Sequence, residues 1–183
     1  IGIRKDLNFT FQFPKPNFAK LTLQDVISDL QNNVLSALPY NKTNGNNCAV
    51  ANHEYMIGDF STIYMSRNRV RTWDEQSFTI QAGGRHAPIH PQAPKMKFIE
   101  QNLREFVKGS EHLYRRLSVR ECARIQTFPD TFSFEYSSVV AGYKMIGNAV
   151  PVRMGKVLAQ KIYADLENLK VANKATSRHI STE

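Results

Sequence analysis

The sequence predicts a mixed α/β protein of one domain or slightly more. Its 183 residues are 42% hydrophobic and 10% aromatic, which supplies enough apolar surface for a core. Capped amphipathic segments in both halves of the chain predict helices, and short β-like runs between them predict strands. This composition excludes a wholly disordered or collagen-like chain.

The opening twenty residues are predicted to form the end of a strand and an extended connection, because Pro14 and Pro16 exclude a regular helix. No stretch approaches the roughly 20 apolar residues of a membrane span. The N-terminus also lacks the order of charged, apolar and small residues that marks a signal peptide. We therefore expect a cytoplasmic protein. Because residue 1 is Ile1 rather than Met, we expect the chain to be a piece of a longer protein.

The first helix is predicted to begin after Thr22. Asp25 follows Thr22 at the spacing of an N-cap pair. Apolar residues beyond this pair share one helical face, namely Val26, Ile27, Leu30 and Val34. The polar segment 41–47 consists mainly of Asn, Thr and Gly, which predicts a loop.

A β-hairpin is predicted next. Two β-like runs, at 61–72 and 77–82, are joined by a turn. Alternate side chains of a strand share a face, so Arg67, Arg69 and Arg71 would project together in steps of about 6.6 Å. A two-stranded ribbon of this kind fits the major groove of duplex DNA. The following segment, 97–115, carries no clear pattern and is left unassigned.

Positive charge is concentrated around this predicted hairpin. The chain has 24 Lys and Arg against 16 Asp and Glu, a net charge of +8. Residues 61–120 hold 11 of the basic and 5 of the acidic residues, which leaves 11 − 5 = +6. Charge alone leaves open a solvated surface or a polyanionic partner. Arginine favours the partner, because its planar fork matches phosphate groups and guanine edges.

The cysteines and histidines give no disulfide or metal pattern. Cys48 and Cys122 have no Cys or His at ligand spacing, so we expect reduced, structural thiols. His86 and His90 are four residues apart, but Pro88 lies between them and prevents a shared helical face. We therefore do not expect a metal site.

A capped helix is predicted to follow Ser118. Ser118 and Glu121 form a capping box, Ile125 lies on the apolar side, and Phe128-Pro129 ends the helix. Arginines at 116, 120 and 124 are spaced by four, so they are predicted to share one helical face and to pair with Glu121 or with carboxylates outside this chain. We regard them as structural.

The last helix is predicted to begin at Pro151, a favourable residue for a first turn. Its apolar residues recur at helical spacing and are predicted to pack on a core: Met154, Leu158, Ile162, Leu166 and Leu169. The periodicity is lost after Lys170, where the chain is predicted to fray.

Two segments carry a family resemblance. Residues 116–130 (Arg-Leu-Ser-Val-Arg-Glu-Cys-Ala-Arg-Ile-Gln-Thr-Phe-Pro-Asp) resemble the ninth motif of the cytosine-5 DNA methyltransferases. Residues 143–152 (Tyr-Lys-Met-Ile-Gly-Asn-Ala-Val-Pro-Val) resemble the tenth motif, and residues 1–6 are similar to the tail of the eighth. Two positions depart from the family pattern. Thr127 stands where the family usually has glycine, and Val152 stands where its commonest pattern has a second proline.

The resemblance implies a more detailed α/β architecture. It implies a small mixed α+β target-recognition domain and C-terminal helices that complete a Rossmann-like catalytic domain, whose N-terminal part is absent from this chain. Residues 1–20 would be the end of a catalytic-domain strand and its connection. Residues 21–115 would form the target-recognition domain. Residues 116–183 would carry the ninth and tenth motifs and return to the catalytic domain.

The resemblance also implies which residues meet DNA. The recognition region looks most like the HaeIII-type branch, which modifies GGCC. The residues that fall on DNA contacts of this branch are Arg67, Arg69, Arg85, Ile63, Thr79 and Ile80. The three arginines fall on base-reading arginines of that branch, and Ile63 falls on an apolar contact. Thr79 and Ile80 are similar to a Thr-Leu pair close to the everted cytosine. A bidentate arginine–guanine contact discriminates by about 1 to 3 kcal/mol.

The parts of the family that perform the chemistry are not found in this chain. The reaction uses a cysteine thiolate, a glutamate and S-adenosylmethionine as methyl donor. No Pro-Cys pair and no Phe-x-Gly-x-Gly loop occur, and Cys122 is mid-helix with no adjacent base, so no catalytic residue is expected. The tenth motif implies that Asn148, Ala149 and Val150 line part of the cofactor pocket. On local sequence alone, a turn at Gly147 and Asn148 before the last helix is favoured.

Two functions remain open. One is a fragment or split-enzyme subunit of a restriction–modification methyltransferase, in which this chain binds double-stranded DNA and an N-terminal part supplies catalysis. The other is a sequence-specific DNA-binding module that works without methyl transfer. Helices shaped to complete a larger core predict that the chain alone is poorly soluble or self-associates.

Overall fold

The computed structural model describes residues 1–7, 9–16 and 19–180, with side chains up to residue 170. The chain divides into two compact units. One unit consists of the described residues of Ile1–Phe18 and Pro151–Glu183, and the other consists of Ala19–Val150. Helices and short strands both occur along the chain, so the mixed α/β prediction is confirmed at this level.

The helices and strands are short, apart from the last helix. The α-helices of the described residues are α1 Leu23–Ile27, α2 Thr62–Met65, α3 Val119–Ile125, α4 Val139–Asn148 and α5 Val152–Ile180. The strands are β1 Leu35–Ser36, β2 Glu54–Tyr55, β3 Lys97–Glu100 and β4 Leu103–Glu105. Strands β1 and β2 pair in parallel, and β3 and β4 pair antiparallel in a separate sheet. Turns of 3₁₀ helix occur at Lys5–Leu7, Ser28–Leu30, Pro39–Asn41, Gly45–Asn47, Gly84–His86 and Glu111–Leu113.

Helix α1 begins where the sequence predicts. The Asp25 carboxylate accepts a hydrogen bond from the Thr22 N–H at 2.8 Å, and the Thr22 hydroxyl accepts one from the Asp25 N–H at 3.4 Å. This reciprocal pair satisfies two N–H groups that a helix start leaves without partners. Leu30 and Val34 lie beyond the helix, which ends at Ile27. Leu30 belongs to a following 3₁₀ turn, and Asn33, with φ of 63°, turns the chain before Val34.

The predicted arginine-bearing hairpin is wrong. The Ser61 hydroxyl accepts a hydrogen bond from the Tyr64 N–H at 3.2 Å and caps α2, so the start of the predicted first strand is helical. Val70 forms an isolated parallel bridge with Ile89. The backbone carbonyls of the 73–75 turn accept hydrogen bonds from the first N–H groups of α1. That turn therefore caps a helix and does not join two strands.

The antiparallel hairpin lies instead at β3–β4, in the segment without an assignment. Lys97 pairs with Glu105 and Phe98 with Arg104. Asn102 turns the chain with φ of 64°, a conformation that asparagine adopts more readily than most residues. The two strands together cover only seven residues, which is too short for a clear alternation of apolar and polar residues in the sequence.

Helix α3 confirms the predicted capping box. The Ser118 hydroxyl accepts from the Glu121 N–H at 3.0 Å, and the Glu121 carboxylate accepts from the Ser118 N–H at 2.7 Å. Cys122 and Ala123 on this helix are completely buried. The helix begins at Val119, so residue 116 precedes it and does not share its face.

The end of α3 explains the first departure from the family pattern. The Thr127 N–H donates to the Arg124 carbonyl at 2.8 Å, and the Phe128 N–H donates to the Ala123 carbonyl at 2.9 Å. These two bonds form a Schellman motif, in which the residue after the helix cap is left-handed and usually glycine. Thr127 has φ of 62°. The backbone of this turn therefore has the conformation usual for glycine, although a β-branched residue occupies the position.

Helices α4 and α5 differ from the predictions. Helix α4 is not among the predicted helices, and Gly147 and Asn148, predicted as a turn, are its last residues. Helix α5 continues to Ile180, past the predicted fraying point. Its predicted apolar face is not buried within its unit, since Met154 is 55% and Leu166 is 44% exposed. Among the described residues, no helix has the length and apolar character needed to cross a membrane.

Two hydrophobic clusters stabilise the unit formed by residues 19–150. The first core brings together α1, α3, α4 and the segment around residue 80, through Leu23, Ile27, Ala37, Ile80, Ala87, Leu117, Val119, Cys122, Ala123, Val139, Tyr143 and Ile146. The second core holds α2 and the residues that follow it, through Tyr64, Val70, Ile89, Ala93, Met96 and Tyr114. The segment between residues 78 and 89 contributes to both.

Candidate nucleic-acid interface

Arg69 is held in place by the last turn of α2. Its Nε donates to the Tyr64 carbonyl at 2.9 Å, and its Nη2 donates to the Ile63 carbonyl at 3.2 Å. The guanidinium also lies over the Tyr64 ring, 4.8 Å from the ring centroid. These contacts use one edge of the planar guanidinium. The Nη1 donors have no acceptor among the described residues, so a fixed edge of the fork is available to a ligand.

A cleft of about 170 Å³ lies beside this arginine. It is lined by Arg69, Phe78, Thr79, Gln81, His86 and Pro88. The cleft brings together two predicted DNA contacts, Arg69 and Thr79. Gln81 and His86 were not predicted to belong to the site. Guanidinium, hydroxyl, amide and imidazole groups are the side-chain groups that hydrogen-bond base edges and phosphates.

Three other predicted DNA contacts are exposed. Arg67 follows α2, and Arg85 lies in the 3₁₀ turn Gly84–His86. Neither arginine forms a hydrogen bond or an ion pair with a described residue. Ile63 on α2 is 74% exposed, which is unusual for an isoleucine. These side chains are free to contact a partner, although only the cleft residues are shown to lie together.

Arg71 does not project with Arg67 and Arg69 as predicted, and the Ile80 side chain is buried. Arg71 Nη1 donates to the Glu75 carboxylate at 2.9 Å, and its guanidinium lies 4.2 Å from the centroid of the Phe78 ring. Hydrogen bonds from Thr72, with the ion pair to Arg71, lower the pKa of Glu75 to about 2. The predicted row of three arginines on one strand face is therefore wrong. The Ile80 side chain is 6% exposed in the first core, so only its backbone can contact a ligand.

The predicted cofactor residues lie at the C-terminal end of α4. Asn148 is the last helical residue and is exposed. The Ala149 N–H donates to the Ile146 carbonyl at 3.1 Å and caps the helix. Val150 follows with 61% of its surface exposed. An exposed amide beside an exposed apolar side chain can bind a ligand that has both polar and apolar parts.

A cluster of buried charged groups beside α3 is not indicated by any sequence pattern. Arg115 Nη1 and Nη2 each donate to the Glu121 carboxylate at 2.8 Å, a bidentate pair. His90 Nε2 lies 3.5 Å from the same carboxylate, and the side chains of all three residues are less than a tenth exposed. Burial raises the pKa of Glu121, but the Arg115 fork holds it below its usual range. Burial lowers the pKa of His90 to about 4.

The arginines at 116, 120 and 124 form structural contacts within this chain, but the prediction that they pair with Glu121 is wrong. Glu121 pairs with Arg115 and not with the arginines at 116, 120 or 124. The first two of these bind backbone carbonyls, and the third pairs with carboxylates. The acceptors are Gly58 and Asp59 for Arg116, Ala51, Pro129 and Phe132 for Arg120, and Asp29 and Asp130 for Arg124.

Comparison with known proteins identifies the family. The model of the C-5 cytosine-specific DNA methylases matches residues 1–164. The chain belongs to this family. It is similar to three type II methyltransferases, with 59% identity over 169 residues to M.MthTI of Methanothermobacter thermautotrophicus, 53% over 176 to M.FnuDI of Fusobacterium nucleatum, and 54% over 171 to M.NgoPII of Neisseria gonorrhoeae. These matches cover 92%, 93% and 91% of this chain, but 51%, 51% and 50% of the relatives. The chain therefore spans about half the length of these relatives.

The cytosine methylase match includes the cleft, α3 and α4, so each feature described above lies within the family region. The family consists of transferases that methylate DNA, and the relatives are type II methyltransferases by name. Cys122 is not suited to be the thiolate of a methylase, since it is completely buried and burial raises its thiol pKa. Both cysteines carry free thiols. His86 lines the cleft while His90 is buried beside Glu121, and the described residues contain no group of His, Cys, Asp and Glu that could hold a metal ion.

Proposed function

We propose that this chain is the C-terminal, sequence-reading part of a DNA (cytosine-5)-methyltransferase. The whole protein would transfer a methyl group from S-adenosylmethionine to a flipped cytosine in duplex DNA, within GGCC, as part of a restriction–modification system. The observation that carries this proposal is the cleft that joins Arg69 and Thr79, inside a family match over residues 1–164.

The chemistry of the cleft supports guanine recognition. Guanine presents two acceptors, O6 and N7, in the major groove, and an arginine fork can donate to both. Arg69 is already oriented by two carbonyls and by a ring, so binding would cost little side-chain entropy. Arg67 and Arg85 are exposed and have no partner among the described residues, which suits side chains that extend toward DNA. Thr79 would lie next to the flipped cytosine.

The end of α4 fits part of the methyl donor. S-adenosylmethionine combines a cationic sulfonium with polar and apolar groups, and it supplies the methyl group that the reaction transfers. Asn148 offers an amide, Val150 offers an exposed apolar side chain, and the C-terminal end of a helix favours positive charge. These residues would hold only one side of the cofactor. Residues outside this chain would provide the rest of the pocket and the thiolate.

The first test is discrimination between duplexes. Replacing Arg69 by Ala should reduce the preference for GGCC over a single-mismatch duplex by about tenfold, because one guanine contact is lost. Fluorescence anisotropy titrations with both duplexes measure this ratio. Arg69→Lys keeps the charge but loses the fork, so it should lose preference while retaining more of the affinity. Arg104→Ala, on the β3–β4 hairpin, is the matched control and should leave the ratio unchanged.

An unchanged ratio in Arg69→Ala would refute the assignment of this arginine. Because Arg69 also contacts α2, thermal unfolding of each variant is needed to show that the fold is retained. Affinity for duplex DNA should also fall with salt, with a log–log slope of about −0.9 for each phosphate neutralised. A flat response to salt would show that nucleic acid is not the partner.

A DNA-binding module without methyl transfer is the second candidate. The exposed apolar residues favour the enzyme fragment over the module, since a free-standing module would not leave them uncovered. They are Val140 and Met145 on α4, and Val152, Met154, Tyr163 and Leu166 on α5. The chain alone should therefore self-associate in sedimentation, and should transfer label from S-adenosylmethionine only after the N-terminal part is added. A stable monomer with full sequence preference would favour the module.

A further inference from the structure

The segment that carries the proposed DNA contacts alternates between buried and exposed residues. Ile80, Gly84 and Ala87 are buried, and the side chains of Ile80 and Ala87 are no more than 6% exposed. Next to these residues in the sequence, the side chains of Thr79, Gln81, Arg85 and His86 are exposed. The buried residues therefore attach the segment to the body of the unit, and the exposed ones are presented to a partner. What the segment is attached to decides where the exposed side chains lie.

Helix α4 provides this attachment through Gly147. A Cβ atom on Gly147 would lie 2.3 Å from Ala82 N and 2.3 Å from the carbonyl carbon of Gln81. Real Cβ atoms essentially never approach a heavy atom closer than 3.0 Å. The helix and the segment thus meet backbone against backbone, and only glycine permits that approach. A backbone cannot move aside as a flexible side chain can.

A second attachment lies nearer the start of α4. A Cβ atom on Gly84 would lie 2.7 Å from the Tyr143 ring and 2.7 Å from the sulfur of Met56. Tyr143 is itself fixed, because its hydroxyl donates to the Leu117 carbonyl at 2.6 Å and accepts from the Met56 N–H at 3.3 Å. Ile80 lies in the same core cluster as Tyr143. Helix α4 therefore holds the segment at two glycine contacts about one turn apart along the helix.

We infer that Gly147 is a positioning residue, which holds segment 79–86 in place by allowing its backbone to pack directly against α4. The same helix ends at Asn148, next to the residues proposed to hold the cofactor. One rigid element thus sets the place of the proposed base-reading side chains relative to the proposed cofactor end. This inference rests on the proposed function for its effect on DNA, but the attachment itself is independent of any ligand.

The test uses the full chain with Gly147→Ala and two readouts. Hydrogen exchange by mass spectrometry follows the amides of Gly83, His86 and Ala87, which donate to carbonyls within the segment. These amides should exchange at least about tenfold faster in the variant, because the added methyl forces the segment away from α4. The preference for GGCC over a mismatched duplex should fall about tenfold as well, because the loss of one guanine contact is of that size.

Gly142→Ala is the matched control on the same helix. Its Cβ would lie 2.7 Å from the Tyr136 ring, a side chain outside the segment. This variant should lose stability without faster exchange at residues 83–87 and without a change in duplex preference. Should Gly147→Ala fail to fold by circular dichroism, Gly84→Ala carries the test. Its added methyl meets the Tyr143 ring, which two hydrogen bonds fix, and the Met56 sulfur, so the segment must move away from α4 there as well.

The outcomes separate the inference from the proposed function. Unchanged exchange at residues 83–87 in a folded Gly147→Ala or Gly84→Ala variant would overturn the positioning role. The positioning role would also be overturned if the wild-type chain prefers GGCC and the variant shows faster exchange but the same preference. A wild-type chain with no preference among duplexes would contradict the proposed function alone, and exchange would then decide whether the attachment exists.

Discussion

Arg67 and Arg85 differ in their surroundings from the arginines at 115, 116 and 120, although the side chains are chemically identical. Arg67 and Arg85 are exposed and unpaired among the described residues. Arg115, Arg116 and Arg120 are buried, and each donates at least two hydrogen bonds to carbonyls or to a carboxylate. The buried arginines stabilise the fold, whereas Arg67, Arg85 and the free edge of the half-buried Arg69 are available to a polyanion.

This difference changes the number of cations that a polyanion could contact. Residues 61–120 carry 11 basic and 5 acidic residues, a net of +6. Three of the basic residues, at 115, 116 and 120, are buried. The accessible balance is therefore 8 − 5 = +3. A basic segment in a sequence overstates the number of cations that can contact a partner when some of them bind backbone carbonyls inside the protein.

The largest contrast between the two groups should appear in stability. Arg115→Ala leaves the Glu121 carboxylate buried without its cation and should cost about 3 to 5 kcal/mol in the free energy of unfolding. Arg85→Ala removes an exposed, unpaired side chain and should change it by no more than about 0.5 kcal/mol. Urea unfolding of both variants measures the difference. Similar costs for the two would show that burial does not divide these arginines as described.

The buried group should also give the chain a pH dependence. The pKa of His90 is about 4 in the folded protein and near its ordinary value of 6.5 when unfolded. The unfolded state then binds more protons, so stability should decrease as the pH falls from about 6.5 to about 4, by about 2 to 3 kcal/mol. His53 is also buried, and burial lowers its pKa in the same direction.

Urea unfolding at several pH values tests this expectation. His90→Gln should remove much of the slope between pH 6.5 and 4, because glutamine does not titrate. His112→Gln is the control, since His112 is exposed and its replacement should leave the slope intact. Equal slopes in wild type and His90→Gln would contradict the role of His90.

The smallest expected effect concerns the end of α3, the helix that carries Arg120. Thr127→Gly should raise the free energy of unfolding by about 1 kcal/mol, because a β-branched residue at φ of 62° is strained and glycine is not. Thr131→Gly, at a nearby exposed position, lacks that strain and should not stabilise the chain. Thermal unfolding compares the two. A loss of stability in Thr127→Gly would mean that contacts of the threonine side chain outweigh the backbone strain.

The helix starts were predictable because their signals are local. Thr22 with Asp25, and Ser118 with Glu121, form capping boxes within four residues, and both are present. The prediction of a hairpin at 61–82 failed because its signal, although also local, is compatible with more than one structure. Alternating residues after Ser61 are compatible with a strand, yet a serine cap and the hydrogen-bonding needs of α1 select a helical turn and a capping loop.

The residues of the candidate site were named by family resemblance, and the structure adds how some of them are held. Arg69 and Thr79 meet in one cleft, whereas Ile80 turns into the core. Gln81 and His86 belong to the cleft but carry no sequence signal, since exposed polar residues are common everywhere. Gly147 could have been noticed as a glycine inside a helical stretch, where it disfavours the helix unless close packing requires it.

The sequence by itself determined the family, the helix caps and the excess of positive charge, because each depends on the order of neighbouring residues. Only the tertiary structure decided which arginines are exposed, what holds the segment that carries Thr79, and which partner neutralises Glu121. The physical reason is that burial and pairing depend on residues far apart in the chain, such as Gly147 and Ala82. The sequence shows where the arginines are, but the fold determines which acceptors surround each of them.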